Sequence, residues 1–66
     1  MILLDLYQKG FGILEKFPSV NTEKEAKDFI ESYCKNHNVH VVARERCGDA
    51  MWNYLSNGTE IDYCPE

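Results

Sequence analysis

The last nineteen residues of the chain, 48–66, contain neither lysine nor arginine. The residues before them, 1–47, hold seven acidic and seven basic side chains, whose charges cancel. The whole net charge of -4 therefore belongs to the C-terminal segment. Because nucleic-acid affinity depends largely on Lys and Arg side chains that neutralise phosphates, this distribution argues against a nucleic-acid-binding protein. It predicts protein partners that are basic or neutral.

The chain also lacks a long hydrophobic run. The apolar stretch that starts at Ile2 is interrupted by Asp5, far short of the ~20 residues that a membrane span needs. Met1 leads directly into this stretch, without the basic region of a signal peptide. The chain has three cysteines, and this odd number suits a reducing compartment better than a disulfide framework. We therefore expect a cytoplasmic protein that does not enter a membrane.

The length of 66 residues predicts a single domain, residues 1–66, without linkers or repeats. A domain of this size buries only about 60% of the surface that its unfolded chain exposes. Its stability is therefore expected to be marginal, so that a metal, a crosslink or a partner would help to complete it. The hydrophobic fraction of 44% and the charged fraction of 27% are those of a chain that folds.

Alternating apolar and polar residues predict strands at the start of the chain. Ile2, Leu4 and Leu6 would share one side of a strand, and residues 2–17 as a whole read as a hairpin with two glycines at its turn. A short N-terminal helix that the same glycines would end is the alternative, because short apolar runs are ambiguous.

A helix is the most clearly marked element. Thr22 and Glu25 have the spacing of a capping box, which marks a helix start. Residues at the spacing of one helical face then follow: Ala26, Phe29, Ile30, Tyr33, Cys34 and His37. Asn36 and Asn38 are both able to adopt the left-handed conformation that ends a helix.

The remaining chain predicts further strands. Residues 39–46 are rich in β-branched side chains, and we place Val39, Val41 and Ala43 toward the core.

Asn57-Gly58 predicts a two-residue type I′ turn between strands at 51–55 and 60–64. A helix over 49–55 fits the local sequence nearly as well, and we adopt the hairpin because the alternating residues of 61–64 need a neighbouring strand. The predicted fold is α+β: a small single-layer antiparallel sheet with one helix packed on one face, in ββαββ order.

Three cysteines and a histidine are candidate zinc ligands. Cys34 and His37 stand one helical turn apart, and with Cys47 and Cys64 they would form a Cys3His site. A typical zinc pattern has two closely spaced ligand pairs, whereas Cys47 and Cys64 stand alone. Cysteine on an apolar helix face is usually part of the core. We therefore predict no metal and no other cofactor, and keep the four residues as an alternative.

Catalytic chemistry has no recognisable support. Cys34 lies near the end of the predicted helix, where the helix dipole disfavours a thiolate. No orienting group or oxyanion-hole motif accompanies it, and the helical acids are interleaved with lysines on a solvated face. We therefore predict that the protein is not an enzyme.

A basic stripe is the one feature that would favour nucleic acid. His40, Arg44 and Arg46, with Val42, would project from the side of strand 39–46 opposite the core. In a net-acidic protein, arginines beside a glutamate more often pair with carboxylates. Nucleic-acid binding is thus kept only as an alternative.

The C-terminal segment is the candidate binding surface. In a hairpin, Trp52 and Tyr54 share the face opposite Met51 and Leu55, so one helix cannot bury both sets. An aromatic patch with an acidic rim is typical of a protein-binding surface. The predicted contact residues are three aromatic anchors and three acids: Trp52, Tyr54, Tyr63, Asp49, Glu60 and Asp62.

These observations lead to one functional hypothesis. We expect a small acidic, non-enzymatic regulator or inhibitor that binds a basic protein and blocks a site which that protein uses for nucleic acid. Such a protein would suit a phage or another mobile element. The alternatives are a zinc-stapled module, a nucleic-acid-binding module, and a structural homodimer that buries the same face.

Overall fold

The computed structural model describes residues 1–65, and of Pro65 only the backbone. The elements in chain order are β1 (Ile2–Gln8), β2 (Gly12–Lys16), α1 (Glu23–His37), β3 (Val41–Cys47), β4 (Ala50–Leu55) and β5 (Thr59–Pro65). Across this part of the chain, five strands form one antiparallel sheet in the spatial order β2-β1-β5-β4-β3. The α+β class is confirmed. The predicted ββαββ order is wrong, because residues 41–47 and the C-terminal hairpin supply three strands after the helix, not two.

The core lies between α1 and the two central strands, β1 and β5. Alternation along β1 buries Ile2, Leu4 and Leu6, as the sequence predicts. Leu4 and Ile61, from neighbouring strands, are the largest fully buried side chains. The other buried apolar residues come from α1, β4 and β5: Ala26, Ile30, Cys34, Leu55 and Tyr63. One sheet face is thus covered by the helix.

Both ends of α1 are capped by the residues that the sequence marks. The backbone N–H of Glu25 donates to Thr22 Oγ1 at 3.1 Å, which satisfies one of the free donors of the first turn. Asn38 has a left-handed backbone, with φ 56°, and its N–H bonds back to carbonyls of the last turn. Within residues 1–65 no helix is long and apolar enough to cross a bilayer.

The two asparagines near the end of α1 allow a matched test of the cap. Asn38→Ala is expected to lower the free energy of unfolding by about 1 kcal/mol, because alanine pays a steric cost in the left-handed region. Asn36→Ala changes the same side chain inside the helix, where alanine is the better helix former, and is expected to be neutral or stabilising. Urea titrations followed by circular dichroism compare the two. Equal effects would mean that the helix continues past Asn38.

The C-terminal hairpin forms, but with a different turn from the one predicted. Tyr54 pairs with Glu60, and the loop has positive φ only at Gly58 (89°), not at Asn57 as a type I′ turn requires. The Asn57 side chain instead accepts hydrogen bonds from the backbone N–H and the hydroxyl of Thr59. Asparagine thus shapes this turn through its side chain.

A β-bulge in β3 changes which side chains face the helix. The register with β4 shifts between Val41 and Ala43, where one extra residue interrupts the alternation. Arg44 therefore lies opposite Asn53, whose side chain is buried beneath the helix, and Nε of Arg44 donates to Asn53 Oδ1 at 3.1 Å. The predicted core position of Ala43 is wrong, because this residue is exposed.

Because of the same bulge, the predicted basic stripe does not form. Arg46 reaches α1, where its Nη2 lies 3.4 Å from Oε2 of Glu23. Arg44 and Arg46 thus lie on the helix side of the sheet, and each is paired there. They do not join His40 and Val42 in a surface for nucleic acid.

Candidate functional site

The face of the sheet that points away from α1, here called the open face, carries the side chains that alternate with the core. A cavity of about 520 Å³ opens on it. We call this cavity the aromatic trough and define it by five residues: Tyr7 of β1, Trp52 and Tyr54 of β4, and Glu60 and Asp62 of β5. Four of the six predicted contact residues therefore lie together.

The walls of the aromatic trough stand on either side of β5. Tyr7 and Tyr54 both lie directly opposite Glu60, one on each neighbouring strand, and Trp52 lies directly opposite Asp62. The two tyrosines are two strand spacings apart, about 10 Å, and Glu60 lies between them on β5. All three aromatic residues are half-buried, so part of each remains accessible. The trough has aromatic walls and two carboxyl groups between them.

Asp62 has the most unusual surroundings in the trough. Its Oδ1 atom is buried, and among the described residues no donor reaches it. Burial first, and then the hydrogen bond and charge of Glu60 and the charge of Asp5, raise the pKa of Asp62 to about 8. Asp5 is the residue directly opposite on β1. At pH 7 most Asp62 side chains therefore keep their proton, and the buried oxygen lacks a donor.

Negative charge on the open face extends beyond the trough. Asp5 and Glu45 lie next to it, opposite Asp62 and Trp52 respectively. Burial raises the pKa of the Tyr54 hydroxyl, and the charges of Glu45, Glu60 and Asp62 raise it further.

Two lysines lie next to the acidic residues of the open face. Lys9 lines one edge of the trough, and Lys16 is the cross-strand partner of Asp5. Neither forms an ion pair with a carboxylate of the open face within the described residues. Among the described residues, no lysine or arginine side chain therefore neutralises the acidic groups of this face.

Tyr63 is not an exposed anchor. It is only 2% exposed, on the helix side of the sheet with Ile61. Its hydroxyl donates to Oε2 of Glu23 at 3.0 Å, and this hydrogen bond is the largest cause that lowers the pKa of Glu23. Burial and the Glu23 bond raise the pKa of Tyr63 in turn. The prediction was wrong because alternation from Ile61 already assigns Tyr63 to the core.

Asp49 lies apart from the aromatic trough, in the turn between β3 and β4. It is exposed there, after Gly48, whose φ of 61° suits the first position of a type II′ turn. Tyr7 is not among the contact residues predicted from the sequence. What the sequence pattern lacked was the strand order: β5 lies between β1 and β4, and this brings Tyr7 to Glu60.

The candidate zinc ligands do not converge. Cys34 is one of the buried residues of α1, whereas Cys47 and Cys64 are exposed. His37 stacks on Tyr33 with ring centroids 4.0 Å apart, and its Nδ1 lies 3.0 Å from the Tyr33 carbonyl oxygen. In the part of the chain that the structure describes, no three His, Cys, Asp or Glu side chains are arranged to hold a metal ion.

A second cavity, of about 590 Å³, lies between α1 and β3. Its apolar lining includes Ile30, Cys34 and Val41. Its buried amide, Asn53, is already bonded on both sides: Nδ2 donates to the Ile61 carbonyl, and Oδ1 accepts from Arg44. Among residues 1–65, no buried polar side-chain atom that lines this cavity is without a hydrogen-bond partner. The aromatic trough is the stronger candidate because its buried acceptor is unsatisfied.

Comparison of the chain with family models, with curated proteins and with solved structures found no match. Its function is therefore inferred from the chemistry of the aromatic trough. Accessible aromatic rings, an open concave surface and carboxyl groups that form no ion pair among the described residues suit the binding of a cationic group.

Proposed function

We propose that this protein is a small, acidic, non-enzymatic binding protein whose open face docks on a basic surface of another protein. The observation that carries the proposal is the aromatic trough, in which Tyr7, Trp52 and Tyr54 surround two carboxyl groups. Tyrosine and tryptophan are enriched among the residues that dominate binding energy. Uncompensated acidic groups steer a basic partner and exclude an acidic one.

Apolar residues around the trough enlarge the surface available to a partner. Leu3, on the same side of β1 as Tyr7, is 45% exposed, and Ile13, the cross-strand partner of Tyr7, is 53% exposed. Apolar surface next to aromatic anchors is what a protein interface desolvates at its centre. The open face thus combines an apolar flank, aromatic anchors and negative charge.

The proposal extends to a regulatory or inhibitory role. Basic protein surfaces are those that bind nucleic-acid phosphates, so a protein that covers such a surface competes with nucleic acid for it. We place this activity in the cytoplasm, where an odd number of cysteines stays reduced.

Variants of the open face test the proposal. Trp52→Ala and Asp62→Lys are expected to weaken partner binding at least tenfold, about 1.4 kcal/mol, because one removes an anchor and the other places a positive charge in the trough. Leu14→Ala, in the edge strand β2, and Asp28→Lys, on the outer side of α1, are the matched controls. The measurement is retention of binding proteins on each immobilised variant, with circular dichroism to confirm folding.

A captured protein counts as the partner only under two conditions. Asp62→Lys must lose it while Asp28→Lys keeps it, and wild-type protein must displace an oligonucleotide from it. A partner retained equally by both lysine variants would overturn the proposal. Unfolding of both Trp52→Ala and Asp62→Lys would overturn it too, because these residues would then belong to the core.

A second copy of this chain is the competing occupant of the open face. Sedimentation of the wild-type protein over a range of concentrations separates the two cases, since a homodimer that buries the aromatic trough dissociates on dilution. A dimer that Trp52→Ala converts to monomer would replace the proposed partner by self-association.

A further inference from the structure

The aromatic trough has the dimensions and groups to hold one flat cation. We infer that it binds the guanidinium group of a single arginine side chain, beside the rings of Tyr7, Trp52 and Tyr54 and against the carboxyl of Asp62. The inference rests on the proposed function for the source of that arginine, a basic partner. The preference for a guanidinium group depends only on the residues of the trough.

The aromatic walls favour a cation of this shape. Tyr7 and Tyr54 lie on either side of Glu60, and Trp52 lies opposite Asp62 on β4. A cation over the face of an aromatic ring is attracted by the ring quadrupole, most strongly over tryptophan. Guanidinium is planar and weakly hydrated, so it stacks on such rings more readily than the compact, strongly hydrated ammonium of lysine.

The carboxyl groups favour the same ligand. Oδ1 of Asp62 is buried without a donor, and Glu60 lies two residues away on the same strand face. The residues Asp62 and Glu60 both line the trough, so their carboxyl groups lie where a bound cation would be placed. Guanidinium offers five N–H donors and no acceptor, in a fork that matches carboxylate oxygens. One arginine can therefore serve Asp62 and Glu60 together.

The chain does not fill the trough with its own arginines. Arg44 is bonded to Asn53, and Arg46 is paired with Glu23, both on the helix side of the sheet. Lys9 lines the edge of the trough but forms no ion pair with Glu60 or Asp62 in the described part of the chain. The guanidinium must therefore come from another molecule.

The test uses N-acetyl-arginine amide as the probe, with N-acetyl-citrulline amide as its neutral isostere. Trp52 is the only tryptophan, so its fluorescence reports directly on the trough. We expect saturable binding of the arginine probe, with a dissociation constant on the order of 1 mM, and no saturation with the citrulline probe. Equal responses to the two probes would overturn the inference.

A substitution at Asp62 tests the role of its carboxyl group. At pH 9, where Asp62 is ionised, Asp62→Asn is expected to weaken arginine binding about fivefold to tenfold, and Asp28→Asn, the same change on α1, is expected to leave it unaltered. Asp62→Asn preserves the shape of the side chain, so a folded variant is expected. Full affinity in a folded Asp62→Asn protein would contradict the role given to this carboxyl.

The pH dependence provides an independent arm. Arginine binding requires the ionised carboxyl, so affinity in the wild type is expected to rise from pH 6 to pH 9, as Asp62 loses its proton near pH 8. The charged groups that face Asp62 are Glu60 on its own strand, Asp5 on β1 and, beyond Trp52, Glu45 on β3. Lys9 and Lys16 lie on the β1–β2 side. Asp62→Asn should remove most of the pH dependence, and an unchanged profile in that variant would contradict the assignment.

The two proposals fail in different ways. Saturable arginine binding without a protein partner would leave the trough as a cation site and overturn the proposed function alone. A partner whose binding depends on Trp52, in a protein that does not respond to the arginine probe, would overturn the inference and leave the proposed function standing.

Discussion

Ile61→Ala is expected to lower the free energy of unfolding by about 2–5 kcal/mol, the range for truncating a fully buried isoleucine. Ile61 is 0% exposed and lies in β5, the central strand, against the helix-side core. A domain of this size rarely has more than about 3–5 kcal/mol of stability in total. A large fraction of the variant should therefore be unfolded at 25 °C, which urea titration followed by Trp52 fluorescence measures.

Ile13→Ala is the matched control for this prediction. It removes the same atoms from a side chain that is 53% exposed in the edge strand β2, and its effect is expected to stay within about 0.5 kcal/mol. Similar losses in the two variants would contradict the placement of β5 at the centre of the sheet.

Asp62→Asn is expected to stabilise the protein, and increasingly so as pH rises. The pKa of Asp62 is about 8 in the folded protein against 3.8 for an unperturbed aspartate. Below pH 3.8 both states keep the proton, and ionisation makes no difference between them. Between pH 3.8 and pH 8 the unfolded chain releases the proton while the folded protein retains it, so wild-type stability falls as pH rises. Above pH 8 the loss is complete.

The size of this effect is limited by solvent. Asp62 is only partly buried, so screening reduces the full linkage value, and we expect a gain of about 1–2 kcal/mol for Asp62→Asn at pH 8. Thermal melts of wild type, Asp62→Asn and the control Asp28→Asn from pH 4 to pH 9 measure it. A gain that does not change with pH would show that Asp62 is not held in its protonated form.

Local patterns in the sequence predicted the helix and most strand faces. Thr22 and Glu25 mark the start of α1, and Asn38 is one of the two asparagines predicted to end it, because capping depends on residues only a few positions apart. Alternation likewise placed Trp52 and Tyr54 on the face opposite Met51 and Leu55. These features need no knowledge of distant contacts.

Features that depend on pairing between strands were not predictable in this way. The bulge at Val41–Ala43 is set by the register with β4, and it reversed the face of Arg44 and Arg46. The position of β5 between β1 and β4 is a choice among topologies that local sequence does not encode. Because that choice assembles the aromatic trough, the sequence predicted its members on β4 and β5 but not the wall that Tyr7 supplies.

The pairing of β1 with β5 also bears on how the chain folds. The β1–β2, β3–β4 and β4–β5 hairpins join residues near in sequence, whereas β1 and β5 join Gln8 to Thr59 and Ile2 to Pro65. Closing such a long loop lowers the entropy of the chain before the contacts between β1 and β5 can form. Folding rates fall as the contacts of a protein become less local. The hairpins can form in microseconds. We expect the pairing of β1 with β5, which completes both the core and the aromatic trough, to form after them. The transition state for folding should therefore be the docking of the N-terminal hairpin onto β5.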